Sequence, residues 1–363
     1  LLILKWNNPE SSLFSKDLNR IATLIGYKIA IPQDEYINTK YVCDFILKHQ
    51  IKSIFTCLFE EDFEKVYPRS KTGLEHYITV FPGYADDSQI DFWKNKTKPH
   101  NQRKVDIGYR ARRTPFYLGE LGTYKWRITD KFLQFSNVLK INISNKAKDV
   151  IVGDKWVEFL SDCRCVLGTE SGASLHDPEG MIRLKVEVFL KNVPNASFEE
   201  VKLNCFPQDD WNINLATLSP RHFEACILKN CQILFEGKYA GVLKAGIHYI
   251  EVKKDWTNLQ EVINKVTDIK YCEQIADQAY KDLIDSKLYT YSGFVELIMN
   301  HCKSKVLVNN IINEKNLGRI QFRHNYPLLA SPFKTIKNKS KSKIRIILRK
   351  LSLTGFFDKF IYR

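Results

Sequence analysis

Apolar positions along the chain follow two rhythms, short buried runs and longer stretches at helical spacing, and the two alternate. Leu18, Ile21, Leu24 and Ile25 predict a helix over residues 16–29. Residues 27–31 read as a short buried strand that ends at the polar Pro32-Gln33-Asp34-Glu35-Tyr36. Helical spacing returns over 41–50. Residues 52–57, rich in Ile and Phe, and 77–81, closed by Pro82-Gly83, are the next strands. The polar, basic stretch 92–104, with Lys94, Lys96, Lys98, Pro99 and Arg103, reads as an interdomain linker centred on 96–104. A second alternation opens at Val105-Asp106-Ile107-Gly108-Tyr109. It predicts helices near 117–133, 181–190, 221–228, 259–266 and 273–284, and strands near 139–143, 165–167, 232–235 and 248–252. Strands alternating with helices imply βαβ units and a mainly parallel sheet, hence an α/β chain.

The organisation expected is therefore a first domain over 1–95, a linker, a second domain over 105–300 and a basic helical tail over 301–363. The first domain is short for a full α/β half. With no initiator Met, the sequence is expected to start inside a longer protein. A length of 363 residues otherwise suits two α/β domains, and 44% hydrophobic with 26% charged residues is a globular balance. Mean hydropathy is −0.30, and no apolar run is long enough to span a bilayer. Nine scattered cysteines, mostly in apolar contexts, read as reduced thiols. Cys163-Arg-Cys165 is the closest pair, and no second Cys/His pair follows at zinc-finger spacing, so structural zinc is not expected.

The formal net charge of +14 changes the picture less than its size suggests. Residues 334–363 carry ten Lys/Arg against Asp358, so +9 belongs to the tail and +5 to the rest. Nucleic-acid binding then rests on the tail alone and is not the expected activity. In that tail Ile344, Ile347, Leu348 and Leu351 sit at helical spacing, with Lys343, Arg345, Arg349 and Lys350 on the other side. The pattern fits an interfacial helix on an anionic membrane, and equally a C-terminal helix docked on the first domain.

Candidate chemistry concentrates in residues 219–255. Ser219 can cap a helix whose first position is Pro220, and a helix N-terminus presents free N–H groups and partial positive charge to a phosphate. Glu224 lies about one turn in, where it can accept ribose hydroxyls or simply stabilise the helix dipole. The sequence Phe223-Glu224-Ala225, the strand after it, the loop Glu236-Gly237-Lys238-Tyr239-Ala240-Gly241, and Asp255 ahead of Leu259 and Val262 together resemble the C-terminal domain of GT-B glycosyltransferases. More narrowly, the chain resembles the CgeB-like and group 1 glycosyltransferases. Supporting segments are Gln33-Asp34-Glu35-Tyr36, Asp106-Ile107-Gly108-Tyr109-Arg110-Ala111-Arg112 and Leu167-Gly168-Thr169-Glu170-Ser171-Gly172-Ala173-Ser174.

The resemblance implies two Rossmann-like domains and transfer of a sugar from a nucleotide-sugar donor to a glycan or lipid-linked acceptor, without a metal or other cofactor. It places the enzyme in bacterial cell-surface polysaccharide synthesis, in the cytoplasm or peripheral on the inner membrane face. Donor binding is expected from Glu224, on the ribose, and from Ser219, Arg221 and His222. Arg110, Arg112, Arg113 and Lys125 are the candidate diphosphate clamps, and no Asp-x-Asp metal motif occurs. Ser171, Gly172, Gly237, Lys238 and Tyr239 are expected along the donor pocket, Gly172 letting backbone approach a ligand. Glu170 is expected at the donor sugar as a catalytic residue, taking over part of the role of the family's second glutamate, or else as a turn residue capping 171–173. Asp34 and Glu35 are general-base candidates at a strand end facing the cleft, with His176 and His222 behind them. The second glutamate that the common retaining group carries eight residues before the ribose-binding one is Ala216 here, followed back by an inserted segment over 181–218. That departure leaves open a nucleotide-sugar epimerase of the same fold and a non-catalytic binding protein.

Overall fold

The computed structural model describes residues 26–305, which fall within one compact unit. Residues 16–25 of the first expected helix and the whole basic segment 334–363 lie outside the described residues.

The first sheet contains β1 (Ile29–Ala30), β2 (Ser53–Thr56) and β3 (His76–Thr79), parallel and in that order. Helix α1 (Thr39–Lys48) connects the first two strands. It turns Val42, Cys43, Phe45 and Ile46 inward and leaves Lys40, Asp44 and Lys48 in water. Helices α2 (Glu60–Val66) and α3 (Arg69–Thr72) connect the next pair. The three acids that open α2, Glu60, Glu61 and Asp62, sit at its positive end. Neither helix is predicted by the apolar pattern, since both are short and their exposed faces are charged.

The second sheet holds five parallel strands, β4 (Val105–Arg110), β5 (Ile141–Ser144), β6 (Cys163–Gly168), β9 (Cys231–Phe235) and β10 (Tyr249–Val252). Their spatial order is β10-β9-β6-β4-β5. Every residue of β6 and β9 is buried, and the apolar stretches 165–167 and 233–235 make these strands readable, while Arg164 and Gln232 are buried polar exceptions. On one face Ile107, Cys165, Leu167 and Ile233 pack against Leu121, Tyr124 and Ile128 of α5 (Gly119–Phe132). The same core takes in Val262 and Ile275 of α10 (Leu259–Thr267) and α11 (Ile269–Tyr280). On the other face Val166 packs with Val157, Phe159 and Leu160 of α6 (Asp154–Asp162) and with Ala225 of α9 (Pro220–Ile227). A parallel sheet covered by helices on both faces is the Rossmann-like, doubly wound arrangement, and the order reverses between β4 and β6.

Between β6 and β9 the chain inserts a two-stranded antiparallel pair, β7 (Ser171–Ala173) with β8 (Leu215–Thr217), enclosing α7 (Met181–Asn192) and α8 (Phe198–Cys205). This segment is tied to both sheets. Ile213 and Leu215 join the core of the first. Asp177 accepts from the Asn38 amide at 2.9 Å and donates its own to the Tyr36 carbonyl at 2.7 Å. The Ser174 amide bonds to the Leu118 carbonyl at 3.0 Å, just ahead of α5.

The stretch expected as an interdomain linker is fixed in place. It begins in α4 (Asp87–Lys94) and continues through a 3-10 turn, His100–Gln102. The buried Arg103 guanidinium then donates to the carbonyls of Lys98, Cys163 and Leu228 at 2.8–2.9 Å. Its charge looks like solvated-loop composition in sequence, yet it serves to satisfy buried carbonyls. The last helix described is α12 (Tyr291–Lys305).

Candidate active site

At the point where the strand order reverses, the carboxyl ends of β4 and β6 splay apart and leave a cavity of about 420 Å³. Open α/β sheets bind ligands at this position because the crossovers diverge to opposite faces there. Gly108–Arg110 form one wall, Val166–Thr169 another, and the start of α9, with Ser219, Arg221 and His222, a third. Ser219 caps α9 by accepting the Arg221 amide at 3.3 Å, and Pro220 occupies the first turn. The helix therefore begins at the cavity, with its positive end toward it.

The cavity is cationic. Arg110, Arg112, Lys125, Lys146 and Arg221 line it, against the single acid Asp149. Arg221 donates to the Arg110 carbonyl and lies 5.0 Å from the Trp156 ring centre. Trp156 stacks on Phe159 at 5.5 Å, and Arg110 lies 4.6 Å from the Phe159 ring. Two guanidiniums are thus held on adjoining aromatic faces, which suits planar cations. Arg110 is fixed further by its bonds to the Asn142 carbonyl and side-chain oxygen at 2.7 and 2.6 Å. The Lys125 ammonium has no hydrogen-bonded or ion-paired partner among the described residues. Burial, and secondarily the Arg221 charge, pull its pKa down to about 8.

His222 is neutral at physiological pH, since burial lowers its pKa to about 4. Its ring is fixed between Gln232 Oε1 at 2.9 Å and the Thr169 carbonyl at 3.2 Å. Gly168 matters here, because a side chain at that position would press on the imidazole.

Glu224 lies beside this cavity and is not in its lining. Its Oε2 accepts the Trp156 indole N–H at 2.8 Å, and burial raises its pKa. The carboxylate therefore fixes the aromatic wall that carries Arg221. Trp156 is among the site residues missed by the sequence reading, with Lys146 and Asp149. The spacing of Trp156, Phe159 and Leu160 after Gly153 was the available signal, but α6 has a polar outer face and only nine residues.

A second cavity, of about 320 Å³, is lined by Phe59 of the first sheet's side together with Glu170, Trp211, Glu236, Gly237, Lys238 and Lys254. Glu170 Oε1 accepts the Tyr239 amide at 2.7 Å, and burial raises its pKa. A Cβ at Gly237 would press on the Glu170 carboxylate and oblige it to shift. Of the expected pocket residues, Ser171 lines the first cavity, and Gly237 and Lys238 the second.

Several expectations are corrected by geometry. Gly172 approaches protein rather than ligand: with φ +122°, a Cβ would collide with the Leu215 carbonyl oxygen across the β7–β8 pair. Tyr239 is fully buried, its hydroxyl donating to the Phe235 carbonyl at 2.7 Å, so its ring is core and not pocket wall. Glu35 does not face a cleft. It is 2% exposed and accepts from Thr56 Oγ1 at 2.5 Å, the Cys57 amide at 2.7 Å and Tyr67 at 3.0 Å. Asp34 is exposed beside it and lines neither cavity. His176 bonds Thr39 Oγ1 at 2.7 Å where the insertion meets α1. Arg113 lies 4.7 Å from the Trp126 ring and lines neither cavity.

No family model matches the chain, and no curated protein matches it. Solved structures similar to it include the crystal structure of TarM, 11% identical, over 76% of this chain and 50% of that one, with a TM-score of 0.42. A glycosyltransferase from Rickettsia africae ESF-5 is 10% identical over 82% of this chain and 97% of that one, with a TM-score of 0.35. The chain spans about half the length of the TarM chain.

Proposed function

We propose that the chain is a glycosyltransferase of the GT-B type, which holds the diphosphate of a nucleotide sugar in the cavity between β4 and β6. The observation that carries this reading is the charge arrangement. Lys125, Arg110 and Arg221 stand together around a half-enclosed space with one acid in its lining. Like charges so placed repel in a poorly hydrated site, and a bound dianion relieves that repulsion. The same cations would stabilise negative charge on the departing diphosphate. Trp156, with Val150 and Ile151, offers an apolar wall for the base. A ribose contact from Glu224, which stands beside the cavity with Oε2 held by Trp156, would need that carboxylate to turn toward the ligand. The cavity containing Glu170, Lys238 and Lys254 would take the transferred sugar and the acceptor end. Motif resemblance over residues 25–300 supports the same assignment, including its narrower CgeB-like form. A lipid-linked acceptor would bring residues 334–363 to a membrane, and liposome sedimentation with and without that segment tests the point.

Calorimetric titration with UDP, GDP and ADP beside the corresponding nucleosides tests the core of the proposal. At least one diphosphate should bind and its nucleoside should bind far more weakly. Arg221→Ala should lose roughly 10–100-fold in affinity, the loss of one or two charge-assisted bonds. Folded wild-type protein that ignores all three diphosphates, and their sugar conjugates, defeats the assignment. Product analysis with a bound donor then separates transfer to an acceptor from release of an epimer.

A further inference from the structure

Three cysteines far apart in the chain meet inside the second sheet. Cys165 on β6 and Cys231 on β9 are direct partners in the parallel ladder, so both side chains leave the same face. Helix α11 lays Cys272 over them. All three are fully buried, and their Sγ atoms lie within 4.8 Å of one another, with Cys165 and Cys272 3.6 Å apart. The neighbouring buried cysteines do not share this arrangement. Cys163 donates to the Phe159 carbonyl at 3.1 Å, and Cys226 accepts from Gln232 at 3.3 Å.

Cysteines often fill cores as small apolar groups, and three could meet for that reason alone. The polar surroundings argue otherwise. The Val266 carbonyl takes the Cys272 thiol at 3.7 Å and the Arg164 guanidinium at 3.3 Å, which sets a cation beside the sulfurs. Arg164 is 8% exposed, and among the described residues its Nε has no hydrogen-bond partner and its one carboxylate is Asp106, at 2.8 Å. His100, buried with Nδ1 likewise unpartnered, lies within electrostatic reach of Cys272. Arg164 is already paired by Asp106, and thiolates placed beside it would gain from its charge as well.

We propose that Cys165, Cys231 and Cys272 bind one thiophilic d10 cation as three thiolates, in a closed structural site that is separate from both cavities. A metal–sulfur distance of ~2.3 Å places three sulfurs ~4 Å apart around a central ion. The observed spread reaches that arrangement with sulfur shifts below ~1 Å. Three sulfurs alone suit trigonal Cu(I), and Zn(II) would add a fourth donor, for which the Val266 carbonyl is at hand. Each thiol releases its proton to solvent on binding, and the depth of the site couples loading to folding. Spacing rules along the sequence cannot detect such a site, because each ligand comes from a different element.

The whole chain, refolded anaerobically with Zn(II), Cd(II) or Cu(I) from a weak chelator and then desalted, is analysed for metal by mass spectrometry. One equivalent per chain is expected, with the Zn(II) and Cu(I) arms naming the ion. Cys272→Ser should lose the metal and Cys226→Ser should keep it. Should Cys272→Ser not fold, X-ray absorption at the metal edge of wild-type protein decides, a shell of three sulfurs at ~2.3 Å being expected. Folded wild-type protein without stoichiometric metal, a shell of nitrogen and oxygen, or equal retention by Cys272→Ser overturns the proposal. None of these readouts depends on glycosyl transfer.

Discussion

Replacing Lys125 by Met should stabilise the ligand-free protein while weakening diphosphate binding. The ammonium has no anionic partner among the described residues, and its pKa is displaced from 10.5 to about 8. At ~1.4 kcal/mol per unit the full displacement corresponds to roughly 3 kcal/mol of unfavourable energy for the charged form. Lys125 is only half-buried, so solvent screening reduces this to roughly 1–2 kcal/mol. With unfolding entropy of ~2 cal/mol/K per residue, that is a Tm increase of about 2–3 °C. The sign with pH follows from the depressed value. Below about 8 the lysine is charged in both folded and unfolded chains, and the cost is fully present. Above that pH the folded chain sheds the proton first, so the advantage of Lys125→Met shrinks and vanishes near 10.5. Thermal unfolding at pH 7, 8.5 and 10 measures the trend, and calorimetry with the best-binding diphosphate measures the loss, expected at ~10–100-fold. A variant less stable than wild type at pH 7, or one with unchanged diphosphate affinity, would falsify the picture of an anion-receiving lysine.

Other residues give sharper structural tests. Gly172→Ala should cost more than ~3 kcal/mol or prevent folding, because the new Cβ meets the Leu215 carbonyl at a positive φ; denaturant unfolding near wild-type stability would contradict the β7–β8 register. Burial raises the Glu35 pKa to about 7, so the folded chain holds its proton longer than the unfolded one. That contribution to stability is present below 4.5 and lost as pH rises through 7. Glu35→Gln should therefore flatten the stability profile between pH 5 and 7.5, and Glu35→Ala, which strips Thr56, Cys57 and Tyr67 of their acceptor, should cost ~2–4 kcal/mol by urea titration. Trp156→Leu should lower nucleoside-diphosphate affinity and change the effect of Glu224→Gln, since the indole and carboxylate act as one unit. Additive losses in a double-mutant cycle would separate them.

Much of the second sheet was legible because fully buried strands announce themselves through apolar stretches such as 233–235. The cations of the site were legible too: Arg110 follows a strand and Arg221 opens a helix, and both positions point to the carboxyl end of the sheet. What sequence could not convey was direction. Glu224 turns to an indole, Tyr239 turns into the core and Glu35 turns back on its own sheet, choices set by partners up to 68 residues away. The pair Ser171–Ala173 and Leu215–Thr217 was invisible because each strand has three residues, too few for a period to show. The thiol triad was hidden because its members come from three different elements and are brought together only by the ladder and by α11.

The double attachment of the inserted segment bears on how the protein would open and close. Two sheets joined by a hinge can swing apart to admit a donor. Here the Asp177 backbone bonds, the Ile213 and Leu215 contacts and the Ser174–Leu118 bond bridge them away from any hinge. Swinging would have to tear these bonds from a buried surface. Substrate exchange should then proceed through side-chain and loop movement, and the scattering envelope should hardly change between empty and donor-loaded protein. On the proposed reading, release of the nucleoside diphosphate from a fixed cleft, and not swinging of the sheets, should limit turnover.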